Sequence, residues 1–245
     1  MKKVLLAGES WTVHSIHQKG MDTFTTTTYE EGTYWFNEAL EETGYELTHI
    51  PNHRVQYDFP KNLTEINQYD VVILSDIGSN TFLLPDKTFI DGAKTPNTLE
   101  LIKEYVINGG SFIMFGGYMA FSGINGSSRY GFTPIADILP VKCLTVDDRV
   151  ETPEGSLPEI GDHSVFNGIP KEWPHFLGYN KTISLEDSQP LATINGDPFI
   201  ATKEVGKGKS LVFTSDMAPH WGSEEFVNWK YYPKLWDNII QYLTT

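Results

Sequence analysis

The sequence predicts an α/β protein with an open, mostly parallel sheet covered by helices on both faces. Short, continuously apolar runs at residues 4–7 and 71–75 are typical of strands buried on both faces of a sheet. Segments of helical length and periodicity separate these runs, and this alternation implies right-handed crossovers. With 245 residues, of which 40% are hydrophobic, the chain is long enough to form one domain with a sizeable core.

The first half of the chain supplies the predicted parallel strands and two helices. The strands are expected at residues 4–7, 45–50, 71–75 and 111–115. A helix is predicted over residues 29–43, because apolar side chains recur on one face and Gly44 follows it. A second helix is predicted over residues 96–108, with Pro96 in its first turn and two glycines at its end.

The second half is less regular but is expected to complete the same domain, which spans residues 1–245. Residues 123–190 are rich in Gly, Pro and Asp, and we interpret them as a loop-rich insertion with an antiparallel addition. Further strands are predicted at 191–194, 198–202 and 210–214, the last two joined by a hairpin-like turn. A helix is expected over residues 224–243, broken or kinked at Pro233.

Charge and cysteine content restrict the class of partner and the compartment. The net charge of −14 and the pI near 4.8 argue against binding to nucleic acid or to an anionic membrane surface. Cys143 is the single cysteine, so no intrachain disulfide can form, and a reducing, cytoplasmic setting fits best. The basic opening is followed by an apolar run that ends at Glu9 and Ser10, which indicates a first strand rather than a signal peptide.

Polar and aromatic residues follow the predicted strands, where ligands bind in an open parallel sheet. The segment "HIPNH" follows the second strand, and Arg129 lies in a later loop where it could bind an anion. Trp11 and Trp221 could stack on a planar ligand or a sugar. The candidate residues are Glu9, Ser10, Trp11 and His14 after the first strand, Asp76 and Asn80 after the third, Gly116, Gly117 and Tyr118 after the fourth, and Asp216, His220 and Trp221 after the last.

Several of these residues also have simpler structural explanations. His14 and His17 could share a helical face as metal ligands, but no third ligand is identifiable, so neither a metal nor a cofactor is predicted. Asp76 and Asn80 could hold a ligand hydroxyl or could only form a turn. Arg129 could equally be an ordinary surface arginine.

Read together, these motifs resemble a known family over nearly the whole chain. The segments "HIPNH", "YDVVILSDIGSN", "GGSFIMFGGYMAFSG" and "FTSDMAPHWG" occur in the order seen in the glutamine amidotransferase-like family. This family is a branch of the class I superfamily close to the ThuA-like proteins. The resemblance implies a flavodoxin-like sheet and a crevice at the carboxyl ends of its strands.

The resemblance does not extend to the residues that hydrolyse glutamine. Class I amidotransferases carry a nucleophilic cysteine on a Gly-x-Cys-x-Gly elbow and a His-x-Glu pair after a late strand. The matching elbow at residues 116–120 places Tyr118 at the nucleophile position, and the residue two beyond His220 is Gly222. A phenol with a pKa near 10 is a poor substitute for a thiolate. We therefore predict no glutaminase activity.

Three functions remain open at this point. The protein could bind a small polar or carbohydrate-like metabolite in the crevice. It could instead be a hydrolase or isomerase in which His220 acts as acid or base, Asp216 or Glu9 orients it, and Tyr118 donates to a developing oxyanion. It could also be a non-catalytic accessory protein, and its many aromatic residues would suit the subunit contacts of a homo-oligomer.

Overall fold

The computed structural model describes all 245 residues and contains fourteen strands and eight helices. The strands are β1 (Lys3–Gly8), β2 (Ser10–Lys19), β3 (Asp22–Glu31), β4 (Glu46–Ile50), β5 (Val71–Ser75), β6 (Ser111–Phe115), β7 (Val141–Cys143), β8 (Arg149–Ser156), β9 (Pro158–Ile160), β10 (Phe176–Asn180), β11 (Thr182–Ser184), β12 (Gln189–Ile194), β13 (Asp197–Val205) and β14 (Gly208–Phe213). The helices are α1 (Tyr34–Thr43), α2 (Val55–Asp58), α3 (Leu63–Ile66), α4 (Asn80–Leu83), α5 (Asp86–Phe89), α6 (Thr98–Ile107), α7 (Glu224–Val227) and α8 (Tyr232–Leu243).

An eight-stranded sheet runs through the molecule in the order β4-β1-β5-β6-β14-β13-β12-β9. The first five strands are parallel to one another, and the last three join antiparallel. Numbered along the chain, the parallel strands follow the order 2-1-3-4-5, which is the flavodoxin-like order. The predicted fold class is therefore confirmed, including its antiparallel additions.

Two hydrophobic cores, one on each face of the sheet, hold the helices in place. Alternate residues of a strand point to opposite faces, so Val4 and Leu6 of β1 join one core while Leu5 and Ala7 join the other. Helices α1 and α8 pack on the first face, and α2, α3 and α6 on the second. Each fully buried aliphatic or aromatic side chain contributes roughly 1.5–3 kcal/mol to this packing.

The structure corrects several predicted boundaries. Helix α1 begins at Tyr34 rather than at residue 29, because residues 29–31 belong to β3. Helix α6 begins at Thr98, where the side chain of Asn97 caps the Leu99 N–H, so Pro96 lies just before the cap. The closing helix is divided into α7 and α8, but the break lies at residues 228–231 and not at Pro233, which lies in the first turn of α8.

The hairpin of β2 and β3 is the one large element that the sequence analysis missed. It is a two-stranded ribbon, separate from the main sheet, and all ten residues of β3 are exposed. Beyond Trp11 and Val13 its strands show no sustained alternation of apolar and polar residues, because neither face is buried. The β-branched run at residues 25–28 was the available signal for a strand.

Residues 123–190 form short turns and five short strands. Strand β9 extends the main sheet, while β7 with β11 and β8 with β10 form two small antiparallel pairs. The segment starts directly beyond the turn that follows β6, and its later strands pass close to that turn. None of the helices combines the length and the apolar character needed to span a bilayer.

Candidate functional site

Three acidic residues meet at the carboxyl edge of the parallel sheet. Glu9 follows β1, Asp76 follows β5 and Asp216 lies just beyond β14. The gap between β1 and β5 is where the strand order reverses, which is the usual ligand position in this topology. Only 1% of Glu9 and 5% of Asp216 is exposed. We refer to Glu9, Asp76 and Asp216 as the acidic cluster.

The backbone holds two members of the acidic cluster in an uncommon conformation. Glu9 and Asp76 have φ values of 47° and 41°, in the left-handed region that side chains other than glycine rarely adopt. The Glu9 N–H donates to the Ser75 carbonyl at 2.8 Å, and the Ser75 hydroxyl donates to the Glu9 carboxylate. The Glu9 side chain lies against Gly32, where a Cβ atom would collide with its Oε1. Such strain is concentrated at functional sites.

Burial and nearby negative charges favour the protonated forms of Glu9 and Asp76. Burial raises the pKa of Glu9 well above its ordinary range, and the charges of Asp216 and Asp76 raise it further. Burial also raises the pKa of Asp76 to about 6, with a further contribution from Asp216. A hydrogen bond from the Met119 N–H to Asp76 Oδ1, at 2.6 Å, opposes that rise. At a pH below its raised pKa, a carboxyl group of this kind can donate as well as accept hydrogen bonds.

His220 and Tyr118 lie beside the acidic cluster and contact each other. The His220 Nδ1 atom is 3.8 Å from Asp216 Oδ2, and Asp216 raises the pKa of the imidazole while burial opposes that effect. The rings of Tyr118 and His220 meet edge to face, with their centroids 4.6 Å apart. No hydrogen bond joins the two side chains. His220, with 45% of its side chain exposed, is therefore the accessible member of the pair with Asp216.

Two residues of β8, which the sequence analysis did not identify, surround Tyr118. The Arg149 guanidinium lies 4.9 Å from the centroid of the Tyr118 ring, a cation–π distance. Burial raises the pKa of Tyr118, and Glu151 raises it further. Glu151 also accepts a hydrogen bond of 2.9 Å from the Trp221 indole. Nothing in the sequence around Arg149 and Glu151 indicates this position, which depends on the path of residues 123–190.

The turn that presents Tyr118 is fixed by buried hydrogen bonds. The Gly116 N–H donates to the carbonyl of Phe213, the last residue of β14, and to the carbonyl of Ser215 just beyond it, and the Gly117 N–H donates to Asn180 Oδ1 at 2.9 Å. Asn180 in turn donates to Asp148 Oδ1 at 2.9 Å. The positive φ, 141°, is at Gly117 rather than at Tyr118, and no helix begins after Tyr118. This turn therefore differs from a strand-turn-helix nucleophile elbow.

Asn52 links the end of β4 to the acidic cluster. Its backbone N–H donates to Ser10 Oγ at 2.8 Å, and its side-chain amide donates to the Asp76 carbonyl at 3.3 Å. The Asn52 Oδ1 atom is buried and has no hydrogen-bond partner. A buried acceptor without a donor is unusual in a native structure. The segment "HIPNH" after the second predicted strand was the signal for this residue.

The structure places the other candidate residues outside this network. Trp221 is 1% exposed, so it supports Tyr118 and His220 from behind rather than offering a free stacking face. Hydrogen bonds, ion pairs and aromatic contacts from the remaining candidates do not reach the acidic cluster. Those residues are Trp11 and His14 on β2, bonded to Glu30 and Thr27, Asn80 at the exposed start of α4, and Arg129, exposed above the Phe132 ring.

No group of three or more His, Cys, Asp or Glu side chains is arranged to hold a metal ion. His14 and His17 lie on opposite faces of β2. Successive side chains of a strand alternate between its two faces, and these two residues are three positions apart. A cavity of about 530 Å³ lies between α2, α4, α5 and the start of α6, and none of the candidate residues lines it.

Cys143 is not available as a nucleophile. It lies at the end of β7, 6% exposed, within the core on the α6 face of the sheet. Burial raises its pKa to about 12, so the reactive thiolate is scarcely populated at neutral pH.

Known proteins resemble this chain along its whole length. Cytoplasmic protein STM3548 from Salmonella typhimurium is 47% identical, with 98% of each chain covered and a TM-score of 0.95. Cytoplasmic protein STM1381 from Salmonella typhimurium LT2 is 43% identical, with 99% of this chain and 100% of that chain covered and a TM-score of 0.95. No curated protein matches the chain.

A ThuA-like protein from Bacteroides uniformis shares the fold at 14% identity, with a TM-score of 0.57 over 99% of this chain and 91% of that chain. The family described as "Putative glutamine amidotransferase" matches residues 3–245. Because this match extends over nearly every residue, the chain belongs to the glutamine amidotransferase-like family.

Proposed function

We propose that this protein binds a small, polar, carbohydrate-like metabolite at the acidic cluster and does not hydrolyse glutamine. The observation that carries the proposal is the convergence of three carboxyl groups from three strand ends, two of them buried (Glu9 and Asp216) and one partly buried (Asp76). Vicinal hydroxyl groups are matched by carboxyl groups that both donate and accept hydrogen bonds.

The absence of glutaminase chemistry rests on two residues. Tyr118 stands where the family nucleophile is a cysteine, and its pKa is raised rather than lowered, which weakens it further as a nucleophile. Cys143 is buried with a raised pKa. Neither residue offers a thiolate to attack an amide.

A second candidate function is acid–base catalysis on the same class of ligand. It is favoured by the pair of His220 and Asp216, in which a buried carboxylate raises the pKa of a half-exposed imidazole. Such a pair can move a proton near neutral pH, and the phenol of Tyr118 lies against the imidazole. Hydrolysis or isomerisation of the bound metabolite would be the expected reaction.

The proposed setting is the cytoplasm. It is supported by the names of the two Salmonella relatives, which call them cytoplasmic proteins, and by the single reduced cysteine. The net charge of −14 supports partners that are neither nucleic acid nor anionic membrane.

Ligand-induced thermal stabilisation tests the binding proposal. The probes are glucose, galactose, xylose and myo-inositol at millimolar concentration, followed by calorimetric titration of any that raise the melting temperature. Glu9→Gln keeps the shape of the side chain and should abolish the response. Asp91→Asn, at an exposed aspartate without a hydrogen bond or ion pair, is the matched control and should retain it.

A response that is equal in wild type and Glu9→Gln would refute the acidic cluster as the binding site. The acid–base alternative is separated by following any binding probe by NMR. Turnover in wild type that disappears in His220→Gln, with binding retained, would favour the enzyme.

A further inference from the structure

The cavity between α2, α4, α5 and the start of α6 lies apart from the acidic cluster, and we refer to it as the α5 cavity. Its volume of about 530 Å³ falls within the range of sites that enclose small molecules. None of Glu9, Asp76 and Asp216 lines it. The α5 cavity is therefore a candidate for a second ligand site.

The interior of the α5 cavity is mainly apolar. Val55 and Phe82 line it and belong to the core on the α6 face of the sheet, with 1% and 3% of their surfaces exposed. Leu101 also lines the cavity and packs against that core. The cavity therefore extends from the surface down to the core. An apolar ring or chain placed here would be removed from water, which favours binding.

Hydrogen bonds at the rim of the α5 cavity hold α5 in place. The Asp86 N–H donates to Gln56 Oε1 at 2.8 Å, and the Tyr57 hydroxyl donates to Asp86 Oδ2 at 2.8 Å, so α5 is joined to α2. The hydroxyl oxygens of Thr88 and Thr95 lie 2.8 Å apart, which joins α5 to the segment before α6. The shape of the cavity is thus fixed on both sides of α5.

The charged groups in the wall favour an anion. Two lysines, Lys61 and Lys87, and one carboxylate, Asp86, line the cavity, so the wall carries a net charge of +1 in a chain that carries −14. The Gln56 carbonyl accepts from Lys61 and the Gln56 side chain accepts from the Asp86 N–H, next to Lys87. The two lysines therefore lie on the same side of the cavity, and neither forms an ion pair. An anionic group is attracted there and repelled by most of the remaining surface.

Lys61 can donate a hydrogen bond to such an anion. Its ammonium group has three N–H donors, of which one donates to the Gln56 carbonyl at 2.8 Å and a second to the Val55 carbonyl at 3.5 Å. One donor remains for a ligand. Partial burial lowers the pKa of Lys61, and the charges of Glu65 and Asp58 offset this effect only in part. A ligand carboxylate beside the ammonium would supply the compensating charge.

We propose that the α5 cavity binds a small monocarboxylate, whose carboxylate group lies beside Lys61 and Lys87 and whose apolar ring or short chain occupies the interior. A single negative charge matches the net charge of the wall, whereas a phosphate monoester carries about −1.5 to −2 at pH 7. The proposal does not depend on the proposed sugar site, because the acidic cluster repels a carboxylate.

Calorimetric titration of the full chain with phenylacetate and with hexanoate tests the proposal. 2-Phenylethanol carries the same ring as phenylacetate without the charge and should bind at least about tenfold more weakly. The double variant Lys61→Gln, Lys87→Gln should raise the dissociation constant of phenylacetate at least about tenfold. Lys142→Gln, at an exposed lysine of β7 without a hydrogen bond or ion pair, is the matched control and should leave the constant unchanged.

A cavity-filling variant tests the interior separately from the lysines. Thr98 lines the α5 cavity in the first turn of α6, and its side chain forms no hydrogen bond. Thr98→Trp should therefore abolish binding while both lysines are kept, and circular dichroism checks that each variant retains the fold.

Four results would overturn the proposal. The first is a wild-type chain that binds neither phenylacetate nor hexanoate at millimolar concentration. The second is equal affinity for phenylacetate and 2-phenylethanol, and the third is tighter binding of phenyl phosphate than of phenylacetate. The fourth is wild-type affinity for phenylacetate in Thr98→Trp or in the double lysine variant.

Discussion

Asp76→Asn tests whether the acidic cluster reduces the stability of the fold. Asparagine has the same shape and can still accept the hydrogen bond from the Met119 N–H. The pKa of Asp76 rises from an ordinary value of 3.8 to about 6 in the folded protein. At 1.36 kcal/mol for each pKa unit, this difference corresponds to a cost of about 3 kcal/mol once the carboxyl is ionised.

The sign of the pH dependence follows from the direction of the pKa change. Between pH 4 and pH 6 the folded protein holds a proton on Asp76 that the unfolded chain has lost, so its contribution to stability falls as the pH rises. Above pH 6 the cost is fully present. We therefore expect Asp76→Asn to raise the free energy of unfolding by up to about 3 kcal/mol at pH 8 and to change it little at pH 4.

Urea unfolding at pH 4, 6 and 8, monitored by circular dichroism, measures the free energy of unfolding and its dependence on pH. Asp91→Asn is the exposed control. A variant that is less stable than wild type at pH 8, or one that keeps the wild-type slope with pH, would refute this reasoning. The variant should also lose the response to sugar probes. Greater stability with lost binding is the pattern expected where a strained site serves function.

Three further predictions concern residues around the acidic cluster. Tyr118→Phe should alter the free energy of unfolding by less than about 0.5 kcal/mol, because it removes one hydroxyl from a partly exposed side chain, yet weaken probe binding in calorimetric titration; unchanged affinity would remove Tyr118 from the site. Wild type and Cys143→Ala should both release no ammonia from glutamine in a coupled assay; release by both would refute the predicted lack of glutaminase activity, and release lost in Cys143→Ala would show that Cys143 is reactive. In an NMR titration, His220 should show a pKa above 6.5 that falls in Asp216→Asn, and an identical value in the two proteins would exclude their pairing.

The apolar runs of β1, β5 and β6 were predictable because a strand buried on both faces must be apolar at every position. The same rule explains why β2 and β3 were missed. Their faces are exposed, so no hydrophobic pattern marks them, and the helix predicted from residue 29 began within β3. Local propensity alone separates such strands from loops, and it is a weak signal.

The members of the acidic cluster were predicted from their positions at strand ends, because the carboxyl ends of parallel strands lie on one edge of the sheet. Their burial and their left-handed backbone were not predictable, since both depend on the packing of neighbouring segments. Arg149, Glu151 and Asn180 reach the Tyr118 turn from a loop-rich region that has no periodic pattern.

The sequence by itself determined the sheet and its helical layers, because these depend on residue type and on the order of elements along the chain. The tertiary structure decided which side chains lie close together and which protonation state each of them favours. Those properties arise from desolvation and from charges contributed by residues far apart in the chain, and no local pattern records them.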